Sequence, residues 1–136
     1  MESEPCWIEV NGPVYLNQKI VAATGEPHLL VDLGLLESAL ARPRNLWEYG
    51  EKNIALLAAS LLFGVARNHP FSQGNKRTAW YTMIGFLGAN SFRLELEDDE
   101  RVVDAMIMVL EGRATEEQFA ENLQRVITYV EMRPWV

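Results

Sequence analysis

From Ile54 to Ala66 the chain is apolar on nearly every side, interrupted only by Ser60 and Gly64. Within it Ile54, Leu57, Ala58, Leu61, Leu62 and Val65 recur at helical spacing. A helix that is apolar all round cannot lie on a surface; it belongs in the middle of a bundle. The spacing predicts a helix over 48–67. A second segment, TAWYTMIGFLGA at 78–89, is equally apolar. It predicts a buried helix over 75–89, with Gly88-Ala89-Asn90 as its stop. Two buried helices in succession leave only a short link between them. The predicted fold class is therefore all-α: a compact helical bundle with two buried central helices flanking one loop.

The rest of the chain fits around that pair. At 136 residues it predicts a single domain over 1–136. Pro5, Gly12 and Pro13 mark 1–13 as an irregular arm, in which WIEV at 7–10 alternates like a short strand. Helices are expected over 14–23, ended by Thr24-Gly25-Glu26-Pro27, and over 32–41, ended by Arg42-Pro43. RLELE at 93–97 reads as extended, and Asp98 as the cap of a helix over 99–111. Thr115 and Gln118 have the form of a capping box, opening a last helix that reaches Met132.

Composition excludes several functions. The formal net charge of −7 argues against a strongly basic face, so no nucleic-acid partner is expected. No run of about 18 apolar residues occurs, so no membrane span is expected. MESEPCW lacks the basic and apolar regions of a secretory signal. Cys6 is the one cysteine, so an internal disulfide is impossible, which suits a reducing compartment. The expectation is a soluble cytoplasmic protein.

The link between the buried helices is unlike the rest. Asn68-His69-Pro70-Phe71-Ser72-Gln73-Gly74-Asn75-Lys76-Arg77 is polar and cationic. No Asp or Glu occurs from Lys52 through Leu94, while Lys52, Arg67, Lys76, Arg77 and Arg93 do. The centre of this cationic island is a helix start, where backbone N–H groups carry partial positive charge. Gly74 permits positive φ and close approach of a ligand, and Asn75 can cap the helix. Lys76 and Arg77 in a first turn conflict with the helix dipole unless an anion binds there, phosphate above all. His69 stands at the mouth of the same loop and carries the side chain best suited to act as a base near neutral pH. Together these residues suggest group transfer from a nucleotide or another phosphate ester.

Residues 69–79, HPFSQGNKRTA, resemble the signature loop of the Fic/Doc superfamily. That signature runs His, any residue, Phe, any residue, Asp or Glu, Gly or Ala, Asn, Gly or Lys, Arg. Lys76 before Arg77, followed by Thr-Ala, resembles the death-on-curing (Doc) toxin branch. Typical Fic enzymes have glycine at the lysine position and a second arginine where this chain has Trp80. The resemblance implies a Fic-type helical fold and transfer of the γ-phosphate of ATP to a protein hydroxyl. In the family the target is a threonine of elongation factor Tu, and translation stops. It implies His69 as the base, Phe71 as the core anchor of the loop, and Arg67, Gly74, Asn75, Lys76 and Arg77 as phosphate contacts. It also implies a small antitoxin whose disordered tail folds against the toxin.

Gln73 departs from the signature, standing where the family has the acid that binds Mg²⁺. A neutral amide oxygen can coordinate the ion but adds no charge, so Mg²⁺ affinity falls. Three outcomes stay open: metal held mainly by the nucleotide, a substitute carboxylate from Glu95 to Asp104, or an inactive relative. The alternatives to a Doc-like kinase are thus a catalytically silent nucleotide- or antitoxin-binding protein and an AMP-transferring Fic enzyme. Other residues take plainer readings. His28 reads as an exposed loop histidine. Trp80, Tyr81 and Phe86 read as core. Trp47 and Tyr49 suit a ligand cleft or a partner surface equally well. The acids from Glu95 to Glu100 read as a solvated helix start.

Overall fold

The computed structural model describes residues 3–96, 100–112 and 114–130. Six helices and two short strands follow in the order α1 (Asn11–Thr24), α2 (Leu33–Glu48), α3 (Ile54–Asn68), α4 (Asn75–Ala89), β1 (Phe92–Leu94), α5 (Glu100–Glu111), α6 (Glu116–Gln124) and β2 (Ile127–Tyr129). The bundle is helical apart from the β1–β2 ribbon, as the two apolar helices predict. α3 is its axis. Every residue from Leu57 to Ala66 is buried, and the helix packs against α2, α4 and α6. α4 lies between α3 and α1. Among the described residues no helix is long and apolar enough to cross a membrane.

Helix starts follow side-chain chemistry. Asp32 Oδ1 accepts from Leu35 N–H at 3.0 Å, and Asn53 Oδ1 from Ala55 N–H at 2.9 Å. The capping box at α6 is present in both directions: Gln118 N–H donates to Thr115 Oγ1 and Thr115 N–H to Gln118 Oε1.

Several boundaries differ from the sequence expectation. α1 begins at Asn11 rather than 14, because Pro13 falls in the first turn, where a missing N–H costs nothing. α2 does not stop at Pro43 but runs on to Glu48. Pro43 is buried, and Leu46 and Trp47 pack against the core, so packing outweighs one lost helical bond. Arg42 also ties this stretch down, donating to Ser60 O and to Glu116 Oε1, each at 2.6 Å. The single helix expected over 48–67 is instead broken at 49–53. There Gly50 takes φ 104° and Asn53 restarts the chain as the cap of α3. The last helix ends at Gln124, not Met132. β-branched Ile127 and Thr128 pair antiparallel with β1 in the register Phe92↔Tyr129, Arg93↔Thr128 and Leu94↔Ile127. Asp98 and Met132 lie outside the described residues.

WIEV at 7–10 forms no strand. The arm is instead pinned by side chains. Trp7 stacks on Phe86 with centroids 6.1 Å apart and meets Trp47 edge-on at 6.4 Å. Asn90 clamps Cys6, accepting from its N–H at 2.7 Å and donating to its carbonyl at 3.0 Å.

Candidate active site

The site forms at the joint of α3 and α4. α3 ends at His69, which turns left-handed with φ 48° and ψ 56°. That conformation costs a side-chain-bearing residue about 1–2 kcal/mol, so the surrounding contacts must hold it. They do so two residues further on. Phe71 is 2% exposed, its ring sunk in the core. Its backbone N–H donates to Asn75 Oδ1 at 2.9 Å, and its carbonyl accepts from Asn75 Nδ2 at 2.8 Å. Asn75 is therefore not the helix cap that the sequence suggested. It is the first helical residue, and its side chain reaches back to close the loop.

The cap position belongs to Gly74, at φ 73°. Two independent constraints require glycine there. The conformation is left-handed, and a Cβ would sit 3.2 Å from Val21 Cγ1 and 3.3 Å from both Asn17 Nδ2 and Ile20 Cγ2. α1 thus backs the loop directly. The first helical bond of α4 runs from Thr78 N–H to Gly74 O, so the N–H groups of Asn75 and Lys76 precede the ladder at the helix mouth.

His69 is exposed. Its Nδ1 lies 3.5 Å from Asn75 Nδ2, a long contact. Lys76 and Arg77, which have no acidic neighbours in sequence, meet acids from α5. Lys76 Nζ is 2.6 Å from Glu111 Oε1, and Arg77 Nη2 is 2.9 Å from Asp104 Oδ1. Arg67 lies in the last turn of α3, its guanidinium carbon 4.5 Å from the Phe63 ring centre. It borders a polar cavity of about 480 Å³ shared with Arg42, Gly112, Thr115 and Glu116. An apolar cavity of about 510 Å³ lies elsewhere, lined by Trp80, Ile84, Leu94 and Val103 among others and by none of residues 69–77.

Gln73 is exposed, and its backbone carbonyl accepts from Asn17 Nδ2 at 2.8 Å. The donor set here does not fit a divalent cation held by the protein. Position 73 offers a neutral amide, and two acids that meet the first turn of α4, Asp104 and Glu111, are engaged by Arg77 and Lys76. Among the described residues no three His, Cys, Asp or Glu side chains form a metal-binding group.

Two features escape a reading by motif. An extended segment runs antiparallel to the loop: Leu30 pairs with Phe71, Ser72 N–H donates to Leu29 O at 3.0 Å, and Val31 N–H donates to Pro70 O at 2.8 Å. Asn17 also reaches the loop; His28 is exposed in a loop, as its sequence context suggests, with Nδ1 2.8 Å from Asn17 Oδ1 and its ring centre 6.1 Å from that of Phe71. No local spacing signals either, because the segment and Asn17 lie 39 to 61 residues from their partners in the loop and α4. The arrangement brings together a base at the mouth, a helix N-terminus, and two cations in the first helical turn. It can bind an anion beside a group that accepts protons.

Toxin Doc of Mycolicibacterium smegmatis is 43% identical to the chain over 79 residues, which is 55% of this chain and 60% of that protein. The chain thus spans less than two thirds of that relative's length. The model of the Fic/DOC family matches residues 7–87, which include part of the arm, α1 to α3, the loop and nearly all of α4. Since that match covers more than half of the sequence and contains the whole signature loop, the chain belongs to the Fic/DOC family.

Proposed function

We propose that this chain is a Doc-like toxin that transfers the γ-phosphate of ATP to a hydroxyl of a protein target, by family elongation factor Tu, and so blocks translation in the cytoplasm. The observation that carries this reading is the exposed His69 held left-handed beside the N-terminus of α4. His69 accepts the proton of the target hydroxyl as its oxygen bonds to the γ-phosphorus. The bond from that phosphorus to the β–γ bridging oxygen breaks, and ADP leaves. The N–H groups at the helix mouth, with Gly74, Asn75, Lys76 and Arg77, bear the phosphate charge, and Arg67 adds a further cation. Phe71 anchors the loop. A divalent ion such as Mg²⁺ enters as part of the nucleotide substrate. A small antitoxin with a disordered tail is the neutralising partner.

A second reading has its own support. Gln73 removes the charge with which the family holds metal, which favours a silent protein that binds nucleotide or antitoxin without transfer. The test uses ATP labelled at the α- or the γ-phosphate, with purified protein, Mg²⁺ and a bacterial lysate. Label on a protein from γ-ATP alone, lost in His69→Ala, is the expected result. Label from α-ATP alone would assign AMP transfer instead. No His69-dependent label from either would select the silent protein.

A further inference from the structure

One fully buried polar side chain beside the loop is not in the signature. Asn17 of α1 is 0% exposed. Its Nδ2 donates to Gln73 O at 2.8 Å and to Thr78 Oγ1 at 3.1 Å. A carbonyl can only accept, so the bond to Gln73 fixes which end of the amide is nitrogen. The other end, Oδ1, then faces His28 Nδ1 at 2.8 Å and must accept from it. That fixes the tautomer of His28: Nδ1 carries the hydrogen.

One amide thus joins four places: α1, the segment entering α2, the loop at Gln73 and the first turn of α4 through Thr78. The same nitrogen is within 3.3 Å of where a Cβ on Gly74 would be. We infer that Asn17 and His28 are positioning residues, which set the backbone of Gln73 and Gly74 and so the mouth of α4 where the phosphates bind. His28 acts through Asn17, and Asn17 acts through the loop. This inference rests on the phosphate-transfer reading of the same site, where a loop displaced by about 1 Å costs one to two orders of magnitude in rate.

The test uses His28→Leu, His28→Asn and Asn17→Ala in the full chain. His28 is exposed, so its variants keep the fold even if Asn17→Ala does not. Asparagine places an amide N–H close to the position of Nδ1, whereas leucine has no donor. Amide hydrogen exchange at Phe71, Ser72 and Thr78, whose N–H groups are hydrogen-bonded around the loop, should quicken by about tenfold in His28→Leu and return to the wild-type rate in His28→Asn, as for a buried hydrogen bond removed and replaced. In γ-phosphate transfer, His28→Leu should lower kcat by about tenfold with KM for ATP little changed, and His28→Asn should restore it. The pH profile of His28→Asn should match the wild type. Unchanged exchange in both His28→Leu and a folded Asn17→Ala overturns the inference. So does His28→Asn being as impaired as His28→Leu, which would mean the imidazole itself is needed. If the wild type transfers nothing, the phosphate-transfer reading fails, and the exchange measurement still decides whether this link holds the loop.

Discussion

Replacing Asn75 tests how the loop is closed. Its side chain is the partner of both backbone groups of Phe71, and Asn75 itself is only 8% exposed. Asn75→Ala removes both bonds and leaves a buried N–H and a buried C=O without them. Each such group costs about 1–3 kcal/mol, so a loss of about 2–4 kcal/mol in stability is expected. For a chain of this size that lowers Tm by roughly 3 °C per kcal/mol, or about 6–12 °C in all. Asn75→Asp sharpens the test. Its carboxylate still accepts from Phe71 N–H but turns a second oxygen towards Phe71 O, where the amide nitrogen stood. That contact repels the ionised form, and a protonated carboxyl can donate in its place. The folded state of Asn75→Asp therefore binds a proton more tightly than the unfolded chain, and its stability rises as pH falls. Urea denaturation at pH 7 and pH 5 measures both effects. A loss under about 0.5 kcal/mol in Asn75→Ala would refute the argument, as would an Asn75→Asp variant that is no more stable, relative to wild type, at the lower pH.

Other expectations follow from the same geometry. Gly74→Ala should cost about 1–3 kcal/mol, read by denaturant titration, because it adds left-handed strain to crowding by Val21 and Ile20. Glu111→Gln removes the partner of Lys76 at an exposed site, so stability should change by less than about 1 kcal/mol. The same variant should raise affinity for ATP a few-fold by calorimetry at low salt, an effect that shrinks as salt is added. Gln73→Asp should increase Mg²⁺-dependent transfer; equal or lower activity would show that the metal–nucleotide complex is bound without a carboxylate at position 73.

The sequence disclosed what is local and hid what is distant. α4 has the bounds its composition predicts, because Gly74 precedes it and Asn90 follows the last apolar residue. The loop was legible because residues 67 to 77 are contiguous and their types are unusual between two buried helices. The end of α2 was not legible, since Pro43 is a helix breaker by propensity and its burial depends on partners elsewhere. The pairing of Lys76 and Arg77 was equally hidden. Their acids sit 35 and 27 residues onward on α5, whose placement no nearby residue reveals. Asn75 was assigned the wrong task for a related reason. Its type suits a cap, but Gly74 holds that position and releases the side chain to bind Phe71.

The left-handed backbone at His69 has a consequence for how such a gene can decay. Glycine or asparagine adopts that conformation at less cost, so exchanging the histidine for either should leave the fold as stable or about 1 kcal/mol more so. With His69 as the base proposed above, chemistry and folding pull in opposite directions at this one codon. A lineage relieved of selection for the reaction would lose the base early and keep the bundle, accumulating as an intact, well-folded protein that still presents the same surfaces to whatever binds it.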